Sequence, residues 1–204
     1  MRILVVAATE PEAGAVRAVQ IRHDVDILVT GVGMVATAAQ TSRALAQTRY
    51  NLALNFGVCG SFDRALTPGS VVHVTRDRIA ELGAEDDEAF VEFEALQLPG
   101  EPVFVNAAPP SNAALGALPA VTAITVNTVH GNERSIEAVR RRFAPQVESM
   151  EGAAFMCACL INGVPFAQVR AVSNIVERRN RGAWRIGEAL DRLGRTASSI
   201  FECI

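Results

Sequence analysis

Glu12 is the first side chain in the sequence that could do acid–base chemistry. It belongs to Thr9-Glu10-Pro11-Glu12, which follows the apolar run Arg2–Ala7. A carboxylate at the end of a strand could act as a general base. The same segment also fits a structural role, because Thr9 and Glu12 have the spacing of a capping box and Pro11 suits the first turn of a helix. The two roles exclude each other only in part, and the sequence leaves both open.

Glu151 is a second carboxylate with distinctive surroundings. It precedes Gly152–Ile161, an almost wholly apolar stretch that we predict to be a buried helix. The dipole of that helix alone would favour a carboxylate at its start. Burial adds a need for hydroxyl or cationic partners, and the two adjacent hydroxyls of a ribose would satisfy both carboxylate oxygens.

Two glycine-containing segments follow other predicted strands. We predict turns at Thr30-Gly31-Val32-Gly33-Met34 and at Asn55-Phe56-Gly57-Val58-Cys59-Gly60-Ser61. Each could let a ligand approach the backbone, or could simply pack a helix close to a sheet. A dinucleotide fingerprint would follow the first strand and carry a third glycine where this chain has Ala36. A nicotinamide-dependent oxidoreductase is therefore disfavoured.

Asn174 and a basic run lie at the end of the last predicted strand. Asn174 falls at the carboxyl edge of Pro165–Ser173, and Glu177-Arg178-Arg179-Asn180-Arg181 follows within a few residues. The run could be an exposed, solvated face. It could also bind an anionic group, because the guanidinium fork of arginine suits a carboxylate.

The apolar pattern predicts strands that alternate with helices. The predicted strands, apolar on both faces, are Arg2–Ala7, Asp26–Thr30, Asn51–Phe56, Ser70–Thr75, Val121–Val126 and Pro165–Ser173. The predicted helices are Pro11–Val19, Val35–Gln47, Arg134–Phe143, Gly152–Ile161 and Ala183–Phe201. This alternation indicates a three-layer α/β/α fold, in which ligands bind beyond the carboxyl ends of the strands.

The segment from Arg76 to Pro119 lacks this periodicity. It is acidic and contains several prolines, so we predict irregular strands and loops at one end of the sheet. The chain is long enough for one sizeable core and shows no linker or repeat. We therefore expect a single domain over residues 1–204.

Composition bounds the partners and the compartment. A net charge of -3 gives no field that would attract nucleic acid or an anionic membrane. The first apolar run is too short for a secretory signal, and no apolar stretch is long enough to span a membrane. We expect a cytoplasmic protein with no nucleic-acid or membrane partner. The four cysteines lack zinc or redox spacing, and we expect them to be buried, inert thiols.

Together these segments resemble the nucleoside phosphorylase/nucleosidase superfamily across nearly the whole chain. The matching motifs, in the order and spacing of that family, are T-G-V-G at 30–33, N-F-G-V-C-G-S at 55–61, M-E-G-A-A at 150–154 and V-R-A-V-S-N at 169–174. The resemblance implies a phosphorylase/hydrolase-like sandwich with a central mixed sheet, a small nucleoside substrate, no cofactor or metal, and a homo-oligomer, either dimer or tetramer. The tail from Ser173 to Trp184 is similar to the futalosine-cleaving branch, whereas nucleosidases acting on adenine nucleosides carry Asp at the position of Asn174.

The resemblance also implies roles for individual residues. Glu12 matches the acid that activates water, and Arg170 matches an arginine that helps to order that site. Met150 and Glu151 match a ribose-contacting pair, while Ser173 and Asn174 match the pair that meets the purine. Further substrate contacts are expected from Gly57, Val58, Val129, His130, Arg178, Arg179 and Arg181, with His130 the one aromatic side chain near the expected base-stacking segment and the arginines facing an aryl carboxylate.

Water rather than phosphate is the nucleophile that the sequence favours. A phosphorylase must neutralise a phosphate dianion, usually with arginines and backbone N–H groups. The segment after the first strand offers Glu10 and Glu12 but no arginine, and Asn55–Ser61 has none either. Two alternatives stay open. One is a hydrolase of another purine nucleoside (aminodeoxyfutalosine, methylthioadenosine or adenosylhomocysteine), and the other is a noncatalytic nucleoside-binding protein, which would not need both Glu12 and Glu151.

Overall fold

The structure, a computed structural model, describes all 204 residues. Its strands are β1 (Arg2–Ala7), β2 (Asp24–Val29), β3 (Leu52–Ser61), β4 (Val71–Ile79), β5 (Gly83–Asp86), β6 (Ala89–Glu92), β7 (Val103–Val105), β8 (Ala120–Thr125), β9 (Val147–Ser149) and β10 (Phe166–Ile175). Its α-helices are α1 (Glu10–Arg17), α2 (Met34–Gln47), α3 (Ala113–Gly116), α4 (Glu133–Phe143), α5 (Gly152–Asn162) and α6 (Ile186–Glu202), and short 3-10 turns cover Phe93–Leu96 and Arg181–Ala183.

Eight of the strands form one mixed sheet, which confirms the central mixed sheet that the family resemblance implies. Its order is β10-β4-β8-β9-β3-β1-β2, with β7 on the edge of β4. Strand β10 pairs with both β4 and β3, so that β3, β9, β8, β4 and β10 close into a ring. Strands β1, β2, β3 and β10 are mutually parallel neighbours. Their carboxyl ends therefore meet at one edge, where an α/β sheet binds its ligands.

Two apolar layers lie on opposite faces of the sheet and confirm the three-layer arrangement. On one face, Ile3 and Val5 of β1 belong to a buried cluster with Leu193 and Ile200 of α6. On the other face, Leu4 and Val6 pack in a cluster with Phe155, Met156 and Cys159 of α5. Successive strand residues point to opposite faces, which explains why β1 is apolar from Ile3 to Ala7. No helix of the chain is both long enough and apolar enough to cross a membrane.

The predicted turn at 55–61 is wrong, because β3 continues through Ser61. Strand β10 pairs with it in parallel from Ala53 to Ser61, and β9 pairs antiparallel at Gly60 and Ser61. The glycines here do not bend the chain. They leave room on the strand surface for side chains of neighbouring strands, Arg170 at Gly57 and Asn174 at Gly60.

Other boundaries differ for similar reasons of tertiary pairing. Strand β2 begins at Asp24 and, as the sheet edge, is only partly buried. Strand β9 escaped the sequence pattern because it has only three residues. Helix α6 starts at Ile186 rather than Ala183, after the 3-10 turn. The segment 76–119 is less irregular than predicted, since β4 extends to Ile79 and a β5–β6 hairpin follows.

Candidate active site

A cavity of about 220 Å³ opens at the carboxyl ends of the parallel strands. The structure brings most of the expected site residues to its wall, although they are distant in the sequence. Those that line it are Glu12, Val58, Val129, Met150, Glu151, Ser173 and Asn174. Gly57, His130, Arg170 and the three arginines of the basic run lie outside the wall, in positions described below.

Glu12 occupies the cavity wall and caps α1 at the same time. Its Oε2 accepts hydrogen bonds from the N–H of Thr9 at 2.9 Å and from the Thr9 hydroxyl at 2.7 Å. Its Oε1 accepts from the N–H of Val58 at 2.9 Å. The capping interaction therefore fixes the carboxylate instead of competing with a catalytic role, because three donors hold one buried rotamer beside the cavity.

Glu151 is buried and is held by a glycine turn and by a cation. The N–H of Gly33 donates to Oε1 at 3.1 Å. The turn needs glycines, since Gly31 and Gly33 have φ values of 84° and 104°. Oε2 lies 3.7 Å from Nη1 of Arg170. Burial raises the pKa of Glu151, and the charge of Arg170 opposes that rise.

Arg170 lies beneath the cavity, and its side chain occupies the space next to Gly57 of β3. The guanidinium is almost fully buried, and its Nη2 donates to Oδ1 of Asn55 at 2.6 Å. Gly57 is its register partner on β3, and a Cβ at Gly57 would collide with Nη1. Gly57 thus leaves space for a buried cation within a strand and is not part of a turn.

Ser173 and Asn174 reach the cavity through an irregularity in β10. The register with β3 shifts between Val172 and Asn174, which is the signature of a bulge. The Ser173 hydroxyl lies 3.1 Å from the carbonyl oxygen of Cys59 and 2.8 Å from Oδ1 of Asn174, and its single proton can be donated to either acceptor. Nδ2 of Asn174 donates to the carbonyl of Ile175 at 3.0 Å. The amide side chain is therefore oriented by the protein before any ligand binds.

Glu148 is a wall residue that the sequence reasoning did not single out. It is buried on β9, and it accepts from the N–H of His130 at 3.1 Å while its Oε2 lies 2.6 Å from Nδ1 of the same residue. The His130 ring is turned toward Glu148 and stands edge-on to Phe62 at 6.0 Å. Val129, and not His130, lines the cavity. A strand of three residues gives no readable alternation, so only the fold reveals where Glu148 points.

The basic run lies on the exposed loop after β10. Arg178, Arg179 and Arg181 are all exposed, and none of them lines the cavity. The N–H of Arg179 donates to the carbonyl of Gly131 at 3.0 Å, and its guanidinium lies 5.7 Å from the ring centre of Trp184. Trp184 itself lines the cavity, so the run borders the opening without closing it.

All four cysteines are free thiols, and they differ in exposure. Cys59 and Cys159 are buried as expected, whereas Cys157 is partly exposed and Cys203 is exposed, so the expectation of four buried thiols is wrong. Cys203 directly follows α6, at the end of the chain where little packs over it. Cys59 lines the cavity, but burial raises the pKa of its thiol to about 12. A thiol with that pKa is a poor nucleophile near neutral pH.

Comparison with known proteins agrees with this geometry. Residues 6–203 match the family model described as the phosphorylase superfamily. The chain is 36% identical over 188 residues to futalosine hydrolase of Streptomyces coelicolor, covering 84% of this chain and 78% of that protein. It is 34% identical over 174 residues to futalosine hydrolase of Thermus thermophilus, covering 82% and 77%. The chain therefore belongs to the phosphorylase superfamily, as its motifs predict.

Two further relatives mark the breadth of the family. A 5'-methylthioadenosine/S-adenosylhomocysteine nucleosidase of Haemophilus ducreyi is 31% identical over 164 residues, which cover 76% of this chain and 68% of that protein. The solved structure of futalosine hydrolase from Helicobacter pylori superposes with a TM-score of 0.84 at 14% identity, covering all of this chain and 98% of that one. At that identity the superposition establishes the fold alone.

Proposed function

We propose that the protein hydrolyses futalosine at its N-glycosidic bond, releasing hypoxanthine and dehypoxanthine futalosine. The observation that carries the proposal is the pair of buried carboxylates, Glu12 and Glu151, at one cavity whose wall contains no arginine. A phosphate dianion would be repelled there, whereas water would not. Similarity to futalosine hydrolases over most of the chain supports the choice of substrate.

In the proposed mechanism, water attacks the anomeric carbon as the bond to the purine nitrogen breaks. Glu12 takes the proton of the water, and the bonding electron pair leaves with the purine. Glu151, with Met150 beside it, binds the ribose hydroxyls and stabilises the positive charge that develops on the sugar. Arg170 orders Glu151 from below. Asn174, fixed by Ser173, stabilises the purine anion with a hydrogen bond from its amide N–H. The anion then takes a proton from solvent to become neutral hypoxanthine, and Glu12 returns to solvent the proton that it took from the attacking water.

The remaining expected contacts complete the proposal. Val58, next to Gly57, borders the anomeric carbon, Val129 borders the base while the neighbouring His130 acts on the site through Glu148, and the run at Arg178, Arg179 and Arg181 meets the aryl carboxylate of futalosine. We further propose that residues 1–204 form one catalytic domain in a cytoplasmic homo-oligomer that serves menaquinone biosynthesis. Val32 lines the cavity and is 55% exposed, and Val35 nearby is 83% exposed. Such apolar exposure beside a site suits a subunit interface.

A direct assay tests the reaction. Purified protein is incubated with futalosine in phosphate-free buffer, and hypoxanthine is measured by chromatography. We expect hypoxanthine release at a rate that added phosphate does not increase, with an unphosphorylated sugar product. Absence of hypoxanthine, or release that requires phosphate, would overturn the proposal. Methylthioadenosine, adenosylhomocysteine and the 6-amino counterpart of futalosine form parallel arms, and faster cleavage of any of them would assign the protein to that substrate instead.

A further inference from the structure

Glu148 and Asn174 converge over a glycine in the cavity wall. Gly60 on β3 pairs with Glu148 of β9 on one side and with Asn174 of β10 on the other. Directly paired residues of neighbouring strands point to the same face of a sheet. From the place that a Cβ of Gly60 would occupy, Nδ2 of Asn174 is 3.3 Å away and Cγ of Glu148 is 3.6 Å away. The missing side chain of Gly60 thus leaves a polar carboxylate and a polar amide side by side.

The protein fixes which atoms this pair offers. The Ser173 hydroxyl can donate to Oδ1 of Asn174, which turns the amide so that Nδ2 lies toward Gly60 and Glu148. One N–H of that nitrogen goes to the carbonyl of Ile175, and the second has no partner within the protein. Glu148 is oriented by the backbone N–H and the ring of His130, and each carboxylate oxygen keeps a lone pair. The cavity wall therefore carries a hydrogen-bond donor beside an acceptor.

This arrangement of a donor beside an acceptor complements 6-oxopurines but not 6-aminopurines. A 6-oxopurine presents an acceptor, O6, next to a donor, the N1–H. A 6-aminopurine presents the reverse order, with its amino group as donor and N1 as acceptor. We propose that Glu148 and Asn174 together recognise the base, with Glu148 accepting the N1–H and Asn174 donating to O6; this inference rests on the proposed function. A site built for one order rejects the other strongly, because its buried groups would be left unpaired.

His130 is a positioning residue in this arrangement. It touches Glu148 through both its backbone and its ring, and it lies outside the cavity wall. Loss of its Nδ1 would free the carboxylate to rotate but would leave the acceptor in place. We expect His130→Phe to weaken the discrimination between bases without reversing it, while Glu148→Gln changes the acceptor itself.

Binding of free bases tests the proposal without any variant and without turnover. Hypoxanthine, 1-methylhypoxanthine and adenine are titrated into wild-type protein by calorimetry. Loss of a charge-assisted hydrogen bond should weaken binding by about 10- to 100-fold, so hypoxanthine should bind more tightly than both other bases by that factor. Equal affinities for the three bases, or tighter binding of adenine, would overturn the base-reading pair. This result is readable even if futalosine is not cleaved, which separates it from failure of the proposed function.

A matched pair of variants then assigns the effect to Glu148. Glu148→Gln is compared with Glu137→Gln, a substitution on the exposed face of α4, using futalosine and its 6-amino counterpart. We expect Glu148→Gln to lower kcat/KM for futalosine by about 10- to 100-fold and to leave or raise that for the 6-amino compound, with Glu137→Gln like wild type. Equal losses on both substrates would show that Glu148 has only a structural role and would overturn the proposal.

Discussion

The floor and the rim of the cavity are built in opposite ways. On the floor, the carboxylates of Glu12 and Glu151 are buried, and backbone N–H groups of Val58 and Gly33 hold them. Beneath them the guanidinium of Arg170 is fixed to Asn55. On the rim, Arg178, Arg179 and Arg181 are exposed on a loop. Arg179 is held there by its backbone hydrogen bond to Gly131 and by the contact of its guanidinium with the Trp184 ring.

The difference indicates where binding energy is used. Groups that are fixed before the substrate arrives stabilise a developing charge without reorganising, and they do so most strongly where water is excluded. Exposed arginines must be ordered by their ligand and compete with water and salt. The floor should therefore govern the chemical step, and the rim should govern which substrates are held. Effects of substitution should decrease from the floor to the rim.

The largest effect is expected at Glu12. Glu12→Gln keeps the size of the side chain but can no longer take a proton, so kcat should fall by about 10²- to 10⁴-fold. Its NH2 group also replaces one of the two oxygens that accept from Thr9 and Val58, so folding must be checked. The control is Glu10→Gln, which changes an exposed carboxylate of the same turn that is paired with Arg17. Thermal unfolding and nucleoside binding are measured alongside turnover. If a folded Glu12→Gln variant kept a near-normal rate, Glu12 would be a helix cap only.

Glu151→Gln should damage turnover more than binding. Its charge matters most when the sugar becomes cationic, so we expect kcat to fall on the order of 100-fold while the dissociation constant of a bound nucleoside changes much less. Gln can still meet the Gly33 N–H and the ribose hydroxyls. Steady-state kinetics of Glu151→Gln give kcat. Nucleoside binding to the Glu12→Gln variant, with and without Glu151→Gln, gives the dissociation constant in the absence of turnover. Weaker binding with unchanged kcat would show that Glu151 contributes to substrate binding alone and not to the chemical step.

A further buried carboxylate, Asp77, lies next to the start of α5 and should affect stability. It is fully buried and accepts from Gln168 at 3.0 Å and Thr125 at 2.9 Å. The Thr125 hydroxyl oxygen in turn accepts from the N–H of Ala153, in the first turn of α5. Burial raises the pKa of Asp77 from 3.8 to about 6. The first turn of α5, which follows Glu151, is thus connected through Thr125 to the buried carboxyl group of Asp77.

Because the folded-state pKa of Asp77 is raised, its stabilising contribution is complete below the unfolded pKa of 3.8 and is lost as pH rises through about 6. The shift corresponds to roughly 3 kcal/mol. Asp77→Asn cannot titrate, so the stability of the variant relative to wild type should rise by about this amount between pH 4 and pH 7. Urea unfolding at several pH values measures the difference. A constant difference across that range would show that Asp77 keeps the same charge in both states.

The sequence predicts the positions of Glu12 and Glu151 better than those of Glu148 and the glycines of β3, for physical reasons. Glu12 and Glu151 flank long apolar elements whose periodicity is readable, so their place at the sheet edge follows from the α/β pattern. The extension of β3 through Gly57 and Gly60 was not predictable in the same way. Glycine signals a turn locally, and only pairing with β10 and the buried Arg170 shows that it makes room instead. The position of Glu148 could not be predicted from the sequence, because its strand, β9, has only three residues.

The smallest effect is expected at the rim. Futalosine carries an aryl carboxylate on its 5' side that inosine lacks, and three arginines lie within four residues beside Trp184. Arg179 is the best placed of the three, because its guanidinium already rests over the Trp184 ring at the border of the cavity. A charge-assisted bond contributes about 1.5–3 kcal/mol, and exposure to solvent should bring the value toward the lower end.

We therefore expect Arg179→Ala to lower kcat/KM for futalosine by about 10-fold and to leave inosine cleavage unchanged. Arg178→Ala and Arg181→Ala should have smaller effects, and Arg192→Ala, an exposed arginine of α6, serves as the matched control. Because the rim is exposed, added salt should reduce the difference between futalosine and inosine, whereas effects at the buried floor should persist. Equal losses on both substrates would mean that the run supports the structure of the loop. No loss from any of the three variants would mean that the basic run is a solvated surface, and that selectivity for futalosine arises elsewhere in the cavity.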